Sequence, residues 1–256
     1  MIHCAIDGHI ALLRLDNPPA NVFTADGLAE LETAIGELNC NDAVYAAVIT
    51  GEGGKFFSGG ADIKSFAGGD KVQARLMAQR FGTAFEALQE ARPVIIAAIN
   101  GYAMGGGLEC ALACDLRVAE EHVQMALPEA SIGLLPCGCG TQTLPWLVGE
   151  GWAKRMILTN ERVDAATALR IGLIEELVPR GASRERARAL AERVAGLSPR
   201  AVNFSKQLIH QARRGVARAP ALALERERFV DLFDGADQRE GVNAFLEKRK
   251  PLWKNA

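Results

Sequence analysis

The feature that most constrains this chain is an apolar run, Val94 to Ile99, followed shortly by Gly105-Gly106-Gly107 and the small-residue segment Leu108 to Ala113. Val and Ile dominate the run, which predicts a buried strand. The small-residue segment predicts a helix. The glycines therefore stand where a strand gives way to a helix. Such a junction presents unpaired backbone N–H groups and the positive end of a helix dipole. Glycine there lets a bound molecule approach the main chain and tolerates positive φ. Glu109 lies three residues after Gly106, on the side of whatever the Gly106 N–H holds. Anion-holding main chain beside a carboxylate suits proton transfer next to a carbonyl. A glycine triplet also serves tight helix–strand packing or a flexible turn, and alone it does not choose among these. The G-x-G-x-x-G spacing of a dinucleotide site is absent, and no Lys-Ser or Lys-Thr follows as in a P-loop.

The rest of the chain alternates strand and helix signals. Residues 2–15 alternate around Asp7-Gly8, which predicts a hairpin. Thr24 is a candidate N-cap for a helix whose face carries Leu28, Leu31, Ile35 and Leu38. Val44 to Thr50 reads as a buried strand. Phe56-Phe57-Ser58-Gly59-Gly60-Ala61-Asp62 follows as a second glycine turn, with both phenylalanines expected in the core and Asp62 expected to cap local N–H groups. Residues 70–91 read as a helix with Val72, Leu76, Phe85 and Leu88 inward, ended by Pro93. Residues 116–120 and 123–126 read as short strands, 133–141 as a turn, 149–158 and 164–171 as short helices, and 175–178 as a last strand. From about Arg184 the reading is helical, with breaks at Ser198-Pro199, around Pro220 and near Gly235. The pattern predicts an α/β class. A composition shift near residue 197 predicts an α/β body over 1–197 and a helical region over 198–256.

Composition narrows the function. The chain has 256 residues and a net charge of −2, with a pI near 6.1 and no long basic stripe, so a nucleic-acid partner is not expected. No apolar run reaches the length of a membrane span, and Met1-Ile2-His3-Cys4 lacks the features of a signal peptide. The expected setting is cytoplasmic, without a membrane partner. Six cysteines (4, 40, 110, 114, 137 and 139) are too few for a disulfide scaffold, and the four histidines are scattered. Reduced thiols and no metal are expected.

Three segments together resemble one known group. Phe57-Ser58-Gly59-Gly60-Ala61-Asp62-Ile63-Lys64, then Gly101 through Glu109, then Pro128-Glu129 through Gly140-Thr141-Gln142, are similar in order and spacing to the signatures of the enoyl-CoA hydratase/isomerase (crotonase) superfamily. Glu240-Gly241 to Lys250 resembles its C-terminal helix, so the likeness spans nearly the whole chain. It implies a spiral of repeated ββα units and a helical C-terminal region that packs subunits as homotrimers, often stacked into homohexamers. It also implies acyl-CoA thioester substrates. Coenzyme A is then part of the substrate, and no separate cofactor is expected. The oxyanion donors map onto the N–H groups of Ala61 and Gly106, and the catalytic carboxylates onto Glu109 and Glu129. The backbone of Ala61, Asp62, Ile63 and Lys64 would border CoA. Lys64, with Lys248 or Lys250, would meet its phosphates, unless these lysines are simply solvated charges.

Asn17-Pro18-Pro19-Ala20-Asn21 departs from many relatives, which carry a basic residue before the Asn. Cys137 and Cys139 replace small residues of the third signature and are expected to shape the acyl pocket. Glu109 read alone is an ordinary helix carboxylate, and Glu129 an exposed turn residue. Ser58 lacks the G-x-S-x-G elbow and is not expected to be a nucleophile. The reaction expected is reversible addition of water to a trans-2-enoyl-CoA. Glu129 would act as base on the water, while Glu109 holds that water and completes proton delivery. A double-bond isomerase, a thioester hydrolase or decarboxylase on the same cradle, and a non-catalytic RNA-binding or scaffold protein are the alternatives.

Overall fold

A computed structural model describes residues 1–255. It opens with an antiparallel hairpin, β1 (Ile2–Asp7) and β2 (Ile10–Leu15), joined through Gly8 at φ +57°. Helix α1 (Ala25–Cys40) follows. The Thr24 side chain caps it by accepting from Gly27 N–H, and Leu28, Leu31, Ile35 and Leu38 are all buried. The chain then repeats one theme three times. β3 (Ala46–Gly51) and β4 (Phe56–Ser58) lead to α2 (Lys71–Glu90). β5 (Val94–Ile99) and β6 (Tyr102–Met104) lead to α3 (Gly106–Ala113). β7 (Leu116–Glu120) and β8 (Gln124–Ala126) lead to α4 (Gly140–Leu158).

In each repeat the first strand joins one sheet and the second joins another. The larger sheet runs β1-β2-β3-β5-β7-β10, with β10 at Glu176–Val178; the smaller runs β4-β6-β8-β9, with β9 at Val163–Asp164. The ββα units thus advance both sheets by a strand per turn, the spiral expected. Asn100 marks one crossing point: its side chain accepts from Gly51 N–H and donates to Gly51 O, tying the ends of β3 and β5.

Both faces of the large sheet are covered, which explains the unbroken apolar runs of β3 and β5. On one face Leu13, Ile49, Ile95 and Ala97 pack with Leu31, Phe81, Phe85 and Leu88. On the other, Val48, Ile96, Ala98 and Val118 meet Ala187 and Ala191 of α6 (Ser183–Ala195). A short α5 (Ala165–Arg170) precedes β10. Helices α7 (Pro199–Arg213), α8 (Arg218–Asp231) and α9 (Ala236–Leu246) complete the described chain.

Several expectations need correction. The strand that ends at the glycine triplet is β6, not Val94–Ile99; three residues are too few to show a period. Val72 and Leu76 are 72% and 41% exposed, because the first turns of α2 project beyond the core, which Met77, Phe81 and Ala84 reach instead. Helix α4 starts at Gly140, nine residues earlier than expected, and contains Pro145; its continuity is broken at Gly149, where φ is 76° and ψ 160°. Pro220 lies in the first turn of α8, where a missing N–H costs nothing, and the break falls at Gly215.

Candidate active site

The site forms where the small sheet delivers its strand ends. β4 and β6 are parallel neighbours, so the turns that follow them lie side by side. Gly60 has φ +89°, and a methyl group added there would fall 2.6 Å from Met104 O and 3.0 Å from Gly106 N. Only glycine allows that approach. Ser58 is fully buried and holds the first turn: its hydroxyl donates to Asn21 O at 2.7 Å and accepts from Gly60 N–H at 3.1 Å. That satisfied role leaves no nucleophile. Asn21, in the segment that departs from the signature, donates to Glu52 O and Phe56 O and so braces the same turn.

Two N–H groups remain available at this junction. Phe23 N–H donates to Gly60 O and Asp62 N–H donates to Phe23 O, so a parallel bridge passes through Ala61 with its own N–H facing the other way. Gly106 is the first residue of α3, and its N–H is one of the groups a helix cannot satisfy internally. Phe81 closes the far side, its ring 2.7 Å from where a Gly106 side chain would begin.

Glu109 is buried in the first turn of α3. Three backbone N–H groups converge on its Oε1: Gly138 at 2.9 Å, Cys139 at 2.9 Å and Gly140 at 2.8 Å. These form a turn at the start of α4, where the helix has no side-chain cap. Glu109 supplies the missing acceptor from another helix. Oε1 is thus engaged by three donors, and Oε2 is the carboxylate oxygen that these donors leave free. Sequence reasoning missed these three donors. The signal available was Gly138 and Gly140 flanking Cys139, a pattern compatible with several turns.

Glu129 begins a short 3₁₀ turn, Glu129–Ile132, placed by β8 and Pro128. Its Oε1 lies 3.0 Å from where a side chain on Gly105 would begin, so it faces the glycine turn. Gly105 itself has φ +54°. Glu129 Oε2 is buried without a hydrogen-bond partner. Burial, with a smaller contribution from the negative charge of Glu109, pushes the carboxyl up to about 7. The two carboxylates flank the cradle and feel one another. Neither is the solvated residue that its local sequence would suggest.

The remaining expected residues scatter. Asp62 caps Lys64 N–H at 3.2 Å, while Ile63 is 51% exposed and Lys64 exposed, on a rim beside Ala61. Lys248 and Lys250 are exposed beyond α9. Cys137 is exposed beside both carboxylates, and burial of its sulfur followed by the charge of Glu109 lifts the thiol to about 11. It lines a cavity of about 550 Å³ together with Gly82, Gln89, Thr143, His210 and Arg213. All six cysteines are free. Among the described residues no group of three or more His, Cys, Asp or Glu could hold a metal ion, and no helix is long and apolar enough to cross a membrane.

The family model for enoyl-CoA hydratase/isomerase matches residues 5–256. The chain belongs to the enoyl-CoA hydratase/isomerase family. A short-chain-enoyl-CoA hydratase of Clostridium acetobutylicum is 36% identical over 245 residues, covering 95% of this chain and 94% of that one. A crotonyl-CoA hydratase of Syntrophomonas wolfei is 35% identical, covering 94% and 93%. Among solved structures, Pseudomonas aeruginosa DspI is 62% identical with a TM-score of 0.97, covering 99% of this chain and 96% of that one. An enoyl-CoA hydratase from Bacillus anthracis is 34% identical with a TM-score of 0.96, covering 100% and 99%. The two solved structures share this chain's spiral along nearly its full length, in agreement with the resemblance carried by the glycine signatures.

Proposed function

We propose that this chain is an enoyl-CoA hydratase that adds water reversibly across the 2,3 double bond of a trans-2-enoyl-CoA. The observation that carries the reading is the environment of Glu129: a carboxyl poised near 7 with a buried, unpartnered oxygen, facing the glycine turn beside an anchored Glu109. The N–H groups of Ala61 and Gly106 receive the thioester oxygen. As water adds at C3, charge builds on that oxygen, and losing one such donor costs roughly 3–4 kcal/mol. Ionised Glu129 takes a proton from the water. Glu109, fixed through Oε1, uses Oε2 to hold the same water and to help pass the proton taken by Glu129 on to C2. One water thus supplies both the C3 hydroxyl and the C2 hydrogen, and both carboxylates end as they began. Two carboxyls held in different surroundings can divide the work in this way.

Coenzyme A enters as part of the substrate, along the rim of Ala61, Asp62, Ile63 and Lys64. Names of relatives support the substrate class, since several are hydratases of enoyl-CoA thioesters. The exposed apolar residues of the helical region 198–256, among them Ile209, Phe229, Val230 and Phe245, support a homotrimer or a hexamer built from it.

The test is loss of conjugated absorbance on mixing with crotonyl-CoA, run beside a 3-enoyl-CoA. Hydration predicts that crotonyl-CoA is consumed and 3-hydroxybutyryl-CoA appears. If crotonyl-CoA and longer 2-enoyl-CoAs are untouched while the 3-enoyl-CoA rearranges, the chain is an isomerase.

A further inference from the structure

We infer that Arg213, the last residue of α7, is a positioning residue for Glu109, acting through Thr143 and Cys139. The inference rests on the catalytic role proposed for Glu109. Arg213 Nη2 donates to Thr143 Oγ1 at 2.7 Å, and Gln89 Nε2 donates to the same oxygen at 3.2 Å. Thr143 is 1% exposed. A hydroxyl has two acceptor sites and one proton. Both acceptor sites are taken by these two donors, which fixes the Thr143 side chain from outside the turn. The Cys139 thiol in turn donates to Glu109 O at 3.3 Å, and the Cys139 N–H donates to Glu109 Oε1 at 2.9 Å. Thr143 N–H also returns to Cys139 O at 2.8 Å, closing the first turn of α4 over the same residue. The links run from the guanidinium to the Thr143 hydroxyl, from the Thr143 N–H to Cys139 O, and from the Cys139 N–H to the Glu109 carboxylate.

Two observations separate this from a mere staple between α7 and the body. First, α7 is already fastened elsewhere: Lys206 Nζ donates to Pro93 O and to Asp115 Oδ2, and Asn203 Nδ2 donates to Arg92 O. Second, among the described residues Arg213 has no carboxylate within ion-pairing distance, whereas its neighbour Arg214 pairs with Glu90. Burial depresses the proton affinity of Arg213, so the cation is held there at a cost. Its nearest polar contact is the hydroxyl that sets the Glu109 turn. A cation that fixes Thr143 behind that turn keeps three N–H groups trained on Oε1.

The experiment uses the full chain and crotonyl-CoA. Arg213→Met and Thr143→Val are each expected to lower kcat roughly tenfold to thirtyfold, with KM changed less than about threefold. The double variant should be no slower than the slower single one, since both cut the same chain. Arg213→Lys should recover part of the loss. Asn203→Ala and Arg214→Met, which touch α7 but not Thr143, should stay within about twofold of the parent. Backbone hydrogen exchange over residues 137–144 should quicken in Arg213→Met and Thr143→Val alone. If Arg213→Met misfolds, Thr143→Val cuts the same chain from within the body. Unchanged kcat in both variants, multiplicative losses in the double, or an equal loss in Asn203→Ala overturns the inference. If the parent does not hydrate crotonyl-CoA, the proposed reaction fails separately; unchanged exchange over 137–144 then still overturns the role of Arg213, and faster exchange supports it.

Discussion

Two carboxylates stand on either side of one glycine turn and are treated in opposite ways. Glu109 has three main-chain donors on one oxygen and lies inside a helix. Glu129 has a buried oxygen with no donor and sits on a short 3₁₀ turn after Pro128. The first is fixed in place, and the second is left with an unmet need for a proton or a ligand. In the hydration proposed, one carboxylate holds the water in register while the other takes its proton. Identical side chains acquire different work from the backbone around them.

Removing the proton acceptor should have the largest effect. Glu129→Gln is expected to lower kcat for crotonyl-CoA by about a thousandfold with little change in KM, since binding energy resides mainly in CoA. A KM raised tenfold with normal kcat would assign Glu129 to binding instead. Glu109→Gln should cost less, roughly a hundredfold. Gln keeps an oxygen for the three donors, so the turn survives while proton delivery fails; exchange over residues 137–144 should stay slow. If Glu109→Gln instead loosens that segment, the anchoring depends on charge and the contrast between the two residues sharpens.

The fold around these carboxylates is legible in the sequence in some regions and hidden in others. The glycines at 60 and 105–107 announce themselves because a side chain there would strike main chain, Phe81 or the Glu129 carboxylate. Helix α1 was legible because cap and apolar face coincide in the sequence. The strands β4, β6 and β8 are three residues each, too short to display alternation, so the second sheet was hidden. The cradle under Glu109 joins residues 29 to 31 positions apart through backbone groups, which carry no residue-type signature. Arg213 and Thr143 are 70 positions apart, and nothing local marks them as partners.

A smaller perturbation probes the fixed side alone. A methyl at Gly138 would fall 2.5 Å from Phe85 and 3.2 Å from Glu109 Oε2. Gly138→Ala should therefore lower kcat about tenfold and destabilise the fold by roughly 1–3 kcal/mol. Equal activity and melting temperature would show that the turn tolerates displacement.

The smallest expected effect is on stability. Because burial raises the Glu129 carboxyl in the folded state to about 7, ionising it there is unfavourable, and the parent loses stability as pH rises from the usual carboxylate range through 7. Glu129→Gln removes that loss. Its melting temperature should exceed the parent's by roughly 2–4 °C at pH 8, a margin reduced by the partial exposure of the group and shrinking toward pH 5. A margin that grows on acidification would reverse the assigned direction.

The pH dependence of crotonyl-CoA hydration, in the parent and in Glu129→Gln, bears most directly on the central claim that Glu129 takes the proton from water. In the parent, kcat/KM should fall on the acid side with an apparent midpoint near 7, as the free enzyme's base is protonated. In Glu129→Gln the residual rate should lack that limb. A variant that keeps both the parent's rate and its acid limb would contradict the account.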